Sequence, residues 1–214
     1  MESIKLFIAL AANAVIVGLE IYTLSRITKK QEILKYYTYL SNFIALIAGL
    51  VFVAVTAANL IIGTATPLWL KGIRFCATYM LVTTMFVFSV VLLPLHRSGN
   101  LITASDFSAN LDPKLANLIL HYLCPAISVV SFLLLERQPV LEGSQWTLYG
   151  AIPTIFYWSV YLILTATHLW KEPYGFSGTK NKNSSAAGKI LFALIPLMSM
   201  GLDYLLWWLN TPNF

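Results

Sequence analysis

The heptapeptide Tyr-Tyr-Thr-Tyr-Leu-Ser-Asn at 36–42 opens an apolar run and sets Thr38, Ser41, Asn42 and Ala45 at i, i+3, i+4, i+7 spacing. On a helix that spacing makes one small, polar face. A later run, Asn117-Leu-Ile-Leu-His121-Tyr-Leu-Cys-Pro125, carries His121 on a face shared with Asn117 and Ser128. Pro125 cannot donate to the carbonyl of His121 and clashes with it, so a kink is expected beside the imidazole. Glu20 and His168 belong to two further apolar runs. A histidine can take a proton from a hydroxyl and later return it to a leaving group. A threonine or serine within its reach becomes a usable nucleophile. Glu20 or His168 is the candidate to orient the imidazole. The same residue types also pack helices closely, which is the plainer reading of Ser41 and Asn42.

These residues need elements to hold them, and the composition says which. The chain of 214 residues is 58% hydrophobic and 11% charged, with mean hydropathy +0.73. An ordinary soluble domain has about twice that charged fraction. A membrane-crossing helix needs about 20 mostly apolar residues. Segments at roughly 4–26, 36–63, 72–96, 115–135, 148–170 and 188–209 meet that length. The expected fold is all-α, a single domain made of a bundle of six transmembrane helices, with no internal repeat. The connection at 64–70 reads as a short turn, and 171–188 as the most linker-like stretch.

Depth can be counted along each helix. At 1.5 Å per residue, Glu20 lies roughly 9 Å inward from Arg26, Thr38 roughly 5 Å from Lys35 and His121 roughly 10 Å from Lys114. His168 is close to Lys171. All four then fall in one half of the bilayer, on spans one, two, four and five, where one cavity could hold them. Intramembrane polar groups of this kind are functional candidates by default.

The positive charge tracks topology. Arg26, Lys29, Lys30, Lys35, Arg97, Lys114, Lys171, Lys180, Lys182 and Lys189 fall in or beside loops one, three and five. Lys5, Lys71, Arg74 and Arg137 fall on the other side. That bias places the odd loops in the cytoplasm and both termini outside. Membrane topology, and not nucleic acid, accounts for the net charge of +5. Asp203 near the outer end of span six is expected to pair with Arg74, and Glu136 with Arg137 to mark the outer end of span four. Trp146, Trp170, Trp207, Trp208 and Tyr174 read as interfacial anchors. Cys76 and Cys124 lie in apolar runs and imply neither a disulfide nor a metal site. The first apolar run is too long for a signal peptide. No GxSxG, HExxH, GxGxxG or P-loop pattern occurs, and no cofactor or metal is expected.

The Tyr-Tyr-Thr-Tyr-Leu-Ser-Asn segment, His121 followed by Pro125, and Trp170-Lys-Glu-Pro-Tyr-Gly-Phe together resemble the androgen-induced membrane hydrolase family. The similarity is greatest to its small bacterial six-span members and runs over nearly the whole chain. It implies an intramembrane hydrolase of lipid (fatty acid) esters, with Thr38 as nucleophile and His121 as base. The partners it implies are a fatty-acyl ester substrate and membrane lipids, in the cell membrane of a bacterium. Ser41 or Asn42 would steady the oxyanion, and Glu20 and His168 would line the site. The Pro-Tyr-Gly-Phe order departs from the family's Tyr-Pro-Phe-type segment. Two other readings compete: a solute or lipid transporter lined by Glu20, Asn42, His121 and His168, and a non-enzymatic scaffold or regulator. A transporter would be expected to show an inverted repeat and paired broken helices, and neither is seen in the sequence.

Overall fold

The computed structural model describes residues 2–26, 36–93, 112–170 and 186–211; of the side chains at 2, 113 and 186–193 nothing is said. It is helical, and no strand occurs among the described residues. We number the helices α1 (Glu2–Ser25), α2 (Tyr37–Ile62), α3 (Leu68–Val87, continued by a π-helical turn Phe88–Leu92), α4, α5 (Gln145–Ala166) and α6 (Ala186–Asn210). Helix α4 is a composite of Pro113–Leu118, a π turn Ile119–Leu123, Cys124–Val130 and a second π turn Ser131–Leu135. The segments Ser3–Ser25, Tyr37–Ile62, Leu68–Leu92, Lys114–Leu135 and Gln145–Ala166 are each long and apolar enough to cross a membrane.

Local chemistry sets the helix ends. Gly63 at φ 78 closes α2, and its N–H and that of Thr64 both donate to the Asn59 carbonyl at 2.8 and 3.0 Å. Only a residue tolerant of the left-handed region closes a helix in this way. Pro67 then starts α3 at once, four residues before the sequence-read boundary, because its fixed φ suits a helix start and it has no N–H to lose. Asp112 caps α4 by accepting the Lys114 N–H at 3.0 Å, with Pro113 in the first turn.

Helix α3 packs against α2, α4, α5 and α6, and α1 packs against α2 and α4. The apolar core fits that arrangement: Phe75, Tyr79, Phe132, Tyr157 and Tyr161 fill the middle. Outward faces are apolar, as at Phe7, Ile61 and Phe156, the pattern of helices whose solvent is lipid. Helices α1 and α2 meet closely at Gly49, where a Cβ would stand 2.8 Å from Val17 Cγ2. Trp146 packs over Gly72, and Trp207 donates from its indole nitrogen to the Leu141 carbonyl at 2.9 Å. Trp146 therefore joins α5 to α3, and Trp207 joins α6 to the loop before α5. Tyr174 lies outside the described residues, as do Lys29, Lys30, Lys35, Arg97, Lys171, Lys180 and Lys182.

Candidate active site

At the end of the bundle where α1 finishes and α2 begins, the polar face of α2 turns inward. Ser41 and Asn42 are fully buried, while Thr38 is half-buried. The Ser41 hydroxyl donates to the Thr38 carbonyl at 2.8 Å and pairs with the Thr84 hydroxyl of α3 at 2.6 Å. Asn42 Nδ2 donates to the Thr38 carbonyl at 2.7 Å and to the Leu120 carbonyl of α4 at 3.4 Å. One amide nitrogen thus brings the backbone of Thr38 next to the residue preceding His121. Among the described residues no hydrogen bond engages the Thr38 hydroxyl. Thr38 lines a cavity of about 20 Å³ with Tyr37, Thr84, Val87, Leu92, Trp158 and Ile195. That is about the space of one water.

His121 sits in the first π turn of α4, 6% exposed, its ring stacked on Phe88 with centroids 3.8 Å apart and planes 13° from parallel. Phe88 itself begins the π turn that ends α3. The expected distortion at Pro125 is therefore realised as a widened turn before the proline. π turns of this kind open a helix where a side chain must be specially presented. Nδ1 of His121 is buried with no hydrogen-bond partner. Its ring is not among the residues that wall the Thr38 cavity, and no hydrogen bond joins the two side chains among the described residues.

Glu20 is fully buried on α1 with its carboxyl beside the Cys124 thiol of α4, a weak donor, and neither carboxyl oxygen meets any other hydrogen-bond partner among the described residues. His168 lies just past the end of α5, exposed, with φ 59. Helix α5 packs on α3 and α6, and His168 past its end does not join the interior that holds the other three. The structure sets Thr38, Ser41, Asn42, His121 and Glu20 toward one end and links Thr38 to the turn of His121 through Asn42, but neither His121 nor Glu20 lines the Thr38 cavity, and His168 lies outside them.

The opposite end holds a network that the sequence reading divided wrongly. Arg74 pairs with Glu136 and not with Asp203: Nε lies 3.0 Å from Oε2, and Nη2 3.1 Å from Oε1. Asn13 of α1 donates to Glu136 at 3.0 Å, and Ser131 at 2.6 Å. Ser128 takes part through Arg74 at 3.4 Å and through the Thr78 hydroxyl at 2.8 Å. Lys71, 2% exposed, lies 4.0 Å over the Phe132 ring. Lys71 and Arg74 thus belong to the interior and not to an outer loop, because α3 begins before them and turns both toward α4. Glu136 does not simply mark a helix end; it is the shared acceptor joining α1, α3 and α4. Burial by itself pushes the Glu136 carboxyl up, but the Arg74 guanidinium and the Ser131 hydroxyl outweigh it and hold the carboxyl below its usual value. Asp203 is buried elsewhere, against Gly150 of α5 and near Cys76 of α3.

Sequence reasoning missed Asn13, Lys71, Ser131 and the true role of Glu136. A signal was present: Asn13 shares the α1 face of Glu20, and Ser131 continues the stripe of His121, Cys124 and Ser128 along α4. No protein family, curated protein or solved structure matches the chain.

Proposed function

We propose that the protein is an intramembrane hydrolase of fatty-acyl esters, with Thr38 as nucleophile and His121 as base, as its resemblance to the androgen-induced membrane hydrolases implies. The observation that carries this reading is that Thr38 lines a hollow with its hydroxyl in none of the described hydrogen bonds, while Asn42 ties the Thr38 carbonyl to the turn that bears His121. In the reaction the Thr38 oxygen attacks the ester carbonyl and His121 takes its proton. His121 then returns that proton to the leaving alcohol, and a water activated by His121 hydrolyses the acyl-threonine to release the acid. To steady the oxyanion, Asn42 Nδ2 gives up its longer bond, to the Leu120 carbonyl at 3.4 Å, and turns that N–H to the substrate. Ser41, held by Thr84, shapes the wall.

A hollow of about one water does not hold an acyl chain, so the substrate must part Trp158, Ile195 and Leu92 where α5, α6 and the end of α3 meet. Helix α6 is proposed as a sixth span, with both termini outside, in the cell membrane of a bacterium. Reactivity of introduced cysteines at the two termini toward an impermeant maleimide tests that topology. Labelling by a fluorophosphonate probe tests the chemistry. It is expected at Thr38 and is lost in Thr38→Ala and His121→Ala; labelling that persists in Thr38→Ala eliminates this threonine as the nucleophile.

A further inference from the structure

We infer that Glu20 is the positioning residue for His121, acting through one water that accepts from Nδ1–H and donates to the Glu20 carboxyl and to Asn42 Oδ1. The inference rests on the hydrolase reading for its purpose, but not for its geometry. Three helices converge at this point. Along the α1–α4 interface, Asn13 meets Ser131 and Glu20 meets Cys124. Two turns up α1 therefore match two turns down α4, and one turn more brings Thr23 level with His121. Ile16, Leu19, Ile119, Cys124 and Ile127 form an apolar cluster along this stretch. On the α1–α2 side, Gly49 faces Val17 and Asn13. The same antiparallel count sets Asn42 within about a turn of Glu20.

Four polar atoms on these facing helices are left over. Apart from the Cys124 thiol beside Glu20, the Glu20 carboxyl oxygens and Asn42 Oδ1 are buried acceptors without a partner, and His121 Nδ1 is buried and unpaired as well. A buried polar atom without a partner costs about 1–3 kcal/mol, so several in one interface call for a common partner. A buried water typically makes about three hydrogen bonds, and these groups supply three of the right polarity if Nδ1 carries the imidazole proton. That choice matters chemically. It leaves Nε2 bare, and a bare nitrogen is what a base toward Thr38 requires. The carboxyl would thus select the tautomer, as the third group does wherever a histidine activates a hydroxyl.

The chain has three histidines, so ¹⁵N-histidine labelling of the full-length protein in nanodiscs gives few signals, with His121 assigned by its loss in His121→Asn. The expected result is Nδ1–H, Nε2-bare His121 in the unmodified protein. Glu20→Leu should redistribute the tautomers, and Glu20→Gln, which keeps an acceptor oxygen, should largely preserve them. Probe labelling at Thr38 should fall about 10²-fold in Glu20→Leu, the lower range for loss of a working general base. A proton on Nε2 in the unmodified protein overturns the inference without any variant, as does an unchanged tautomer in Glu20→Leu. If the tautomer follows Glu20 but the probe never labels Thr38, the positioning stands and the hydrolase reading falls. If labelling needs Thr38 and His121 but the tautomer ignores Glu20, the reverse holds.

Discussion

Replacing Glu136 by Ala removes the acceptor of four described hydrogen bonds: two from Arg74, one from Asn13 and one from Ser131. It leaves Arg74, which is fully buried, without its counter-ion, and Lys71, 2% exposed, beside it. Removing one partner of a buried ion pair typically destabilises by about 3–5 kcal/mol, because the other charge stays buried and uncompensated. For a chain of this size each kcal/mol moves the melting midpoint by about 2–4 °C. The expected loss is therefore about 6–20 °C, read by thermal unfolding of the purified protein in detergent. The double change Arg74→Met with Glu136→Leu should recover much of that loss, since an apolar pair of similar volume leaves no stranded charge. The pair also predicts a pH dependence. Glu136 lies just past Leu135, the last residue of its span, with its carboxyl held below the usual value once the Arg74 pairing has outweighed burial. A lowered folded value means the contribution is present at neutral pH. It begins to be lost as pH falls through about 4.3, the ordinary glutamate value, and is gone below the lowered one. A midpoint for Glu136→Ala within a degree or two of the unmodified protein would refute the claim that this network ties α1, α3 and α4 together.

Three further outcomes follow from the packing. Gly49→Ala should destabilise by about 1–3 kcal/mol because its Cβ meets Val17 at 2.8 Å across the α1–α2 contact. Gly18→Ala, with nothing within 4 Å, should be neutral or stabilising by up to about 1 kcal/mol; equal losses in the two melting curves would contradict the close approach. Ser41→Ala should cost only about 1 kcal/mol, since the Thr84 hydroxyl keeps its bond to the Met80 carbonyl at 3.0 Å. Trp158→Ala widens the hollow at Thr38 and should speed probe labelling there, more for long-chain than for short-chain probes. A rate independent of chain length would place the acyl route elsewhere.

The sequence alone determined the helices and which of them are apolar enough to cross a membrane. Runs such as 36–63 and 115–135 have no plausible solvent but lipid or protein, and α2 and α4 follow them within a few residues. The inward polar face of α2 was legible because helical periodicity groups Ser41, Asn42 and Ala45, all of them buried. Rise per residue set Glu20 and His121 at a common level; across the α1–α4 interface Glu20 in fact faces Cys124, one turn from His121. What counting along an axis does not contain is rotation about it. Arg74, Glu136 and Asp203 all stand toward the same end of the bundle, so depth left Arg74 two possible acids. The azimuth of α3 decided between them: Arg74 and Thr78 point to α4, while Phe75 and Cys76 point toward Asp203 and α5. His168 failed to join the interior for the same reason, since α5 stands on the far side of α3 from α1. The π turns were equally out of reach, because Pro125 shows that a hydrogen bond must be given up, but the neighbours decide how the helix gives it up. Depth is a property of one helix at a time, whereas which side chains meet at that depth belongs to all of them packed together.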